Sequence, residues 1–449
     1  MAGRRDDEPE DEEGGFGEAL RSQERAVPTG RLGRWWNSGR SAVGLASTVL
    51  RGRDVMPDRA ALEALTGRLG ELKGVGMKLG QILSFIDPSL PPEAREVLSV
   101  LQRNAAASPF PAVEGVLRDA FGARADQLLA TLERKPFSVA SIGQVHRARL
   151  GEREVVVKVR HPGIEQALKA DFSAAVGGVS MANAVLFGLA SSAKAMVDEC
   201  RATLLSECDF AREASSQRTF GAWAAGHRVL VVPEVVDAWS SGAVLTTRYE
   251  PGASLEAFLA GQPTQAARDA AGVALFEVMV RGFHELGLLY ADPHPGNFAF
   301  RTGPDGAVRV VLYDFGCVRA YEARHTRAFS ALVAALREGR RADALQAARD
   351  FGFGVEGAER EAIFDRFARS FFAPLLERGA SVVEPDGAVE ASQVLKDKRA
   401  LAKLGLPPHL LFLLRLRFGM YAVLARLGAR ADWGALESEW SCGPISLSS

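Results

Sequence analysis

Two short stretches limit the folds open to this chain more than anything else in it. Residues 288–300 read LLYADPHPGNFAF, and residues 308–320 read VRVVLYDFGCVRA. The first sets Asp292 and Asn297 five positions apart, and the second places Asp314 directly after an extended apolar run. Leu, Tyr, Phe and Val flank all three, so their polar groups sit where water is scarce. A carboxylate taken out of water is costly unless a cation meets it. The fold must therefore bring these two loops together and supply positive charge to them.

Three other segments carry candidate partners. Lys158 lies inside VVVKV (155–159), a run otherwise suited to burial. A buried lysine needs an anion, either a carboxylate or a phosphate. A strand-edge lysine reaching out to water is the alternative. Residues 204–217, LLSECDFAREASSQ, read as one helix that concentrates Glu207, Asp209 and Glu213. Asp209 and Glu213, four apart, share a face there and repel. A solvated acidic face would explain them, but Leu204, Leu205 and Phe210 favour a partly buried face that needs cations. In GMKLGQILS (76–84), Lys78 and Gln81 share a helical face beside Gly74, Gly76 and Gly80. Each helical glycine costs about 1 kcal/mol relative to alanine, so close packing against another element is expected.

At 449 residues the chain exceeds one compact core. Its 47% hydrophobic and 24% charged content is that of a soluble globular protein. A net charge of −1 argues against a nucleic-acid partner. Cys200, Cys208, Cys317 and Cys442 form no CxxC pair, which suits a reduced, cytoplasmic compartment. The seven histidines lack metal-ligand spacing, so no zinc site is expected. The acidic start, RRDDEPEDEEGG, reads as a disordered tail rather than a secretory signal. Residues 29–53 combine five arginines with Trp35 and Trp36. They suit a helix lying at a membrane surface or, equally, a connecting helix packed on the main body. The uncharged stretch 172–193 is long enough to span a bilayer, but its Ala, Ser and Gly content favours a packed helix.

Residues 59–103 pattern as helix, with a turn at Pro91 and Pro92. The character then changes. Residues 137–150 and 154–160, joined by a turn at 151–153, read as consecutive strands. Helical pattern resumes over 164–219, two more strands follow at 228–236 and 243–250, and helices dominate from 264. The expected architecture is α+β: a small β-rich lobe (136–250), a large helical lobe (251–435) and a helical extension in front (29–135). Tails at 1–28 and 436–449 complete it.

The order of these features is itself informative. A glycine-containing turn between strands is followed by lysine on the next strand and an acid on the next helix. Then come D-x-x-x-x-N and D-F-G, the layout of protein-kinase phosphoryl transfer. An Asp and an Asn oxygen suit Mg²⁺, which takes one or two hard protein ligands and leaves the rest to phosphates and water. A third acid can orient or deprotonate a hydroxyl.

With these motifs placed, residues 25–430 resemble the AarF/UbiB family of atypical, protein-kinase-like proteins, whose eukaryotic relatives support coenzyme Q synthesis. KLGQ (78–81) resembles its K-x-G-Q, ASIGQVH (140–146) its alanine-rich nucleotide loop, ECD (207–209) its E-x-D and DPHPGN (292–297) its catalytic loop. The resemblance implies a two-lobed kinase-like fold that binds ATP or ADP with Mg²⁺. Ala140, Ser141, Ile142, Gly143 and Gln144 would form the nucleotide loop. Lys158 would hold the α- and β-phosphates and pair with Glu213, and Asp292 would face the acceptor. Asn297 and Asp314 would hold the metal, while Lys78 and Gln81 would lie over the site and meet Glu207 and Asp209. It further implies work in quinone or isoprenoid-lipid metabolism, peripheral to a membrane through residues 29–53, with quinone-biosynthesis enzymes as partners. The cations that meet the acids would then be Mg²⁺, Lys158 and Lys78.

Some positions depart from the pattern. Ser138 and Val139 stand where relatives carry alanines. Tyr290-Ala291 precedes Asp292 where typical kinases have His-Arg, and His294 stands where they often have Lys. No Ala-Pro-Glu follows Asp314-Phe-Gly, and a helix is expected near Glu322 instead, which disfavours a peptide-docking platform. A nucleotide-gated scaffold without catalysis and a small-molecule kinase of the aminoglycoside or choline type remain as alternatives.

Overall fold

A computed structural model describes residues 107–140, 142–169, 202, 205–303, 306–384, 403–407 and 409–441. The K-x-G-Q segment with Lys78 and Gln81, the arginine-rich stretch 29–53, the uncharged stretch 172–193 and Ser141 lie outside the described residues.

The small lobe is a four-stranded antiparallel sheet ordered β1 (Ser138–Val139), β2 (Gly143–Leu150), β3 (Arg153–Arg160), β5 (Val244–Arg248). The two-residue period of a strand decides its faces. Val155, Val157 and Val159 of β3 are buried on one side, in a cluster with Val113 and Leu117 of helix α1 (Phe110–Phe121). Lys158 takes the other face, toward helix α2 (Phe210–Trp223).

Two expectations require correction. Residues 204–217 are not one helix: the chain turns at Glu207 and Cys208, and α2 starts only at Phe210. Asp209 causes the break. Its backbone is extended and its carboxylate accepts the Ala211 and Arg212 amides, at 3.0 and 3.4 Å. Capping orphaned helix amides is worth about 1 kcal/mol, so the acid contributes more at the helix start than inside it. The stretch 228–236 is also not one small-lobe strand. Only Leu230–Val231 (β4) is extended in a ladder, parallel to β8 (Val308–Leu312) of the large lobe, while Val235 bridges to Thr247 in the small lobe. Pro233 lies between them and, lacking an N–H, cannot carry a continuous ladder.

The large lobe is built on α3 (Gln265–Glu285), 12 of whose residues are buried. Two short antiparallel pairs lie beside it: β6 (Leu288–Tyr290) with β9 (Val318–Ala320), and β7 (Phe298–Thr302) with β8 (Val308–Leu312). Helices α4 (Ala323–Arg337), α5 (Arg341–Phe351), α6 (Ala358–Phe371), α7 (Leu410–Leu427) and α8 (Trp433–Ser441) complete the core. Helix α4 starts where the sequence predicts it, with Glu322 in the cap position. Among the described residues no helix is long and apolar enough to cross a membrane.

Candidate active site

The two strand pairs of the large lobe explain how distant residues meet. The β7–β8 register aligns Phe298 with Leu312, and one step further the Tyr313 amide donates to the Asn297 carbonyl at 2.8 Å. Asn297 and Asp314 therefore leave the same end of one hairpin. The β6–β9 register aligns Tyr290 with Val318, and the Ala291 amide donates to the Cys317 carbonyl at 3.2 Å. That places Asp292 beside the same turn.

Asn297 donates its amide N–H to the Asp292 carbonyl at 3.1 Å, which points its amide oxygen elsewhere. Asp314 uses Oδ1 to accept the Gly316 amide at 2.9 Å, while Oδ2 lies 3.6 Å from Lys158 Nζ. A side chain at 316 would lie 3.2 Å from Asp314 and 3.4 Å from Glu213, so glycine keeps both acids close. Phe315 is buried and packs on Phe220 and Tyr290, anchoring the loop.

From the small lobe, Lys158 reaches Glu213 with both carboxylate oxygens in range, at 2.7 and 2.9 Å. Burial favours its neutral amine, but Asp314, Glu213 and Glu207 outweigh that and raise the Lys158 ammonium above its usual range. The lysine therefore stays charged. One ammonium touching acids from two lobes is an arrangement that can grip a polyphosphate.

The nucleotide-loop residues divide. Ile142 is buried in a cluster with Ile164, Leu168 and Phe210, and the Gln144 side chain is bonded to both backbone atoms of Ser108 and to His146. At Gly143 a methyl group would come within 2.6 Å of the Val159 carbonyl, so this glycine serves strand packing. The Ala140 amide donates to Gly143 across the turn at 2.8 Å. Glu207 is buried, and its charge acts on both Lys158 and Arg415. Asp209 caps α2, as described above.

Sequence reasoning missed Arg415. Its guanidinium donates to Asp292 Oδ1 at 2.7 Å, with side chains only 7% and 15% exposed. The signal was present: LLFLLRLRFGM sets two arginines in an apolar helix, and buried cations require anions. Arg417, the other one, pairs with buried Glu437 at 2.6 Å. One turn beyond Arg415, Gly419 faces the Pro293 ring so closely that any side chain there would collide with it. Helix α7 thus holds the Asp292 loop by a charge and a close packing contact.

Two lobes, with a lysine–glutamate pair in the small one and Asp292, Asn297 and Asp314 on adjacent loops of the large one, define a protein-kinase-like protein. Residues 100–348 match the ABC1 atypical kinase-like domain. The atypical kinase coq-8, mitochondrial, of Caenorhabditis elegans is 28% identical over 93% of this chain and 58% of its own length. The atypical kinase COQ8, mitochondrial, of Saccharomyces cerevisiae is 26% identical over 92% of this chain and 85% of its own. Among solved structures, the Rv3197–erythromycin complex from Mycobacterium tuberculosis aligns with TM-score 0.59 and 28% identity, covering 86% of this chain and 97% of that one. The chain belongs to the ABC1 atypical kinase-like family, the AarF/UbiB kin that its motifs resemble. It spans less than two-thirds of the nematode relative.

Proposed function

We propose that this protein is an ATP-binding, Mg²⁺-dependent atypical kinase or ATPase that supports quinone or isoprenoid-lipid metabolism at a membrane surface. The observation that carries the proposal is Lys158, charged and bonded to Glu213, with Asp314 beside it in the cleft. In this reading Lys158 binds the α- and β-phosphates. The Asn297 amide oxygen and the Asp314 carboxylate are hard donors of the kind Mg²⁺ accepts, and they would hold the ion. A bound Mg²⁺ would neutralise phosphate charge. Asp292 orients the attacking hydroxyl of water or an acceptor, so that its oxygen bonds to the γ-phosphorus as the bridge to ADP breaks. The buried Ile142 and Gln144 side chains leave the loop backbone as the part that would face the nucleotide. Lys78 and Gln81 would close over the site near Glu207 and Asp209. Residues 29–53 would meet lipid, and quinone-biosynthesis enzymes would be the partners. The kinase part of the reading is supported by the names of the relatives, both atypical kinases.

The test is Mg²⁺-dependent ATP hydrolysis by the full chain, with and without lipid vesicles, beside Asp292→Asn and Asp314→Asn. Turnover in the wild type and a loss on the order of 100-fold in both variants are expected. Equal rates in all three proteins would remove the enzymatic reading. Tight nucleotide binding without turnover would point to a nucleotide-gated scaffold.

A further inference from the structure

The proposed phosphate chemistry leaves one buried hydroxyl of the site unused. Tyr290, two residues before Asp292, is 3% exposed, and its hydroxyl has no hydrogen-bond partner among the described residues. Burying a hydroxyl unpaired costs stability, and native proteins rarely leave one so. Packing does not require it. The Tyr290 ring meets Phe315 edge-on with centroids 5.5 Å apart and Phe220 at 6.2 Å, contacts that phenylalanine would make as well. Those neighbours also fix where the ring sits. Phe315 follows Asp314 in the chain, and Phe220 lies two turns along α2 from Glu213, on the same buried face. The ring therefore stands where the Asp292 loop, the Asp314 loop and α2 meet. Burial first, and then the charges of Asp314, Asp292 and Glu213, raise the Tyr290 phenol well above its usual range. It keeps its proton, so it is a donor without an acceptor in the midst of three carboxylates.

Of those three acids, Asp314 is held least firmly by a cation. Asp292 has Arg415 at 2.7 Å, and Glu213 has Lys158 at 2.7 and 2.9 Å. Asp314 accepts the Gly316 amide on Oδ1, while its Oδ2 lies 3.6 Å from the same lysine. Phosphates that bind Lys158 compete with Asp314 for that charge. A carboxylate can accept about four hydrogen bonds, so Asp314 has room for a further donor. We infer that Tyr290 is a positioning residue: its hydroxyl donates to Asp314 when phosphates engage Lys158, and this bond holds the carboxylate in place for the metal. The inference rests on the nucleotide reading above and adds to it a residue that touches neither phosphate nor metal. One bond then satisfies both the unpaired hydroxyl and the carboxylate that has lost its lysine. With an ionised acceptor it is of the stronger, charge-assisted kind.

The experiment compares the full chain with its Tyr290→Phe variant. Without ligand the variant should melt about 2 °C higher, because the substitution deletes an unpaired buried group. Its affinity for Mg-ATP should nonetheless fall about tenfold, the effect of one hydrogen bond to a charged group. A ring that served packing alone would move both quantities in the same direction. Tyrosine labelled with ¹³C at Cζ reports on the hydroxyl itself. The chain has five tyrosines, so the resonance missing from Tyr290→Phe is that of Tyr290, and Mg-ATP should shift it in the wild type. An unchanged affinity, a melting temperature that does not rise, or a Tyr290 resonance that Mg-ATP leaves in place overturns the inference. A wild type that does not bind Mg-ATP overturns the functional reading, and the inference with it.

Discussion

At the scale of single residues, the least expected contact is Arg415 on Asp292. The fold must neutralise Asp292 in a poorly hydrated loop, and it draws the cation from a helix 123 residues away in the chain. This makes Arg415 a positioning residue, because it acts on the proposed reaction only by fixing the Asp292 carboxylate. For Arg415→Met the expected result is a fall in kcat on the order of 100-fold with little change in nucleotide KM. Lysine at the same position should restore part of it. Removing one partner of a buried pair also costs about 3–5 kcal/mol of stability, so the KM–kcat split and the lysine rescue separate positioning from folding. Equal losses in both variants, tracking their melting temperatures, would reduce Arg415 to a structural role. The two cations Lys158 and Arg415 differ in legibility for a simple reason. A lysine among valines on a strand has one obvious exposed-or-paired choice, whereas an arginine on a distant helix gains meaning only when its partner is known.

At the scale of elements, the strands around Lys158 were legible because alternation reports burial directly. The 204–217 and 228–236 segments were misread because one capping carboxylate and one proline override periodic pattern locally. Helix α7 adds a pH-sensitive junction. His409, in the cap position of α7, stacks on His325 of α4 with ring centroids 4.2 Å apart, and its Nε2–H donates to the Phe351 carbonyl at 2.9 Å. Burial and the neighbouring His325 lower the His409 pKa to about 4. A histidine depressed below its unfolded value near 6.5 binds fewer protons when native. Its stabilising effect is therefore full above pH 6.5 and lost as pH falls toward 4. His409→Gln keeps an N–H for Phe351 but does not titrate. Melting curves from pH 7 to 4 should show the wild type losing ground to the variant as pH drops; parallel curves would contradict the assignment.

At the scale of the molecule, ties among the described residues join the lobes: Phe220 of α2 packs on Tyr290 and Phe315, and Trp223 donates to Glu285 at 3.0 Å. Lys158 contacts Asp314, Arg212 donates to the Val318 carbonyl at 3.0 Å, and β4 carries the chain into the large-lobe sheet. Under the proposed function, a nucleotide gripped from both sides would add to these ties and stabilise the native state by mass action. Saturating Mg-ATP at a hundred times its Kd should add about 2.7 kcal/mol, a rise of several degrees in Tm by thermal shift. Lys158→Ala should lose most of that rise. A shift of the same size in both proteins would place the ligand elsewhere.

The sequence by itself determined most element types, the two-lobed order and that Lys158 and Asp292 need partners of opposite charge, since alternation, turn chemistry and the cost of buried charge act over a few residues. Only the tertiary structure decided that Arg415 and Gly419 clamp the Asp292 loop, that Asp209 caps a helix, and that Tyr290 packs on both Phe220 and Phe315. Those contacts join residues far apart in the chain, and no local pattern encodes which of many distant groups packing will bring within a hydrogen bond.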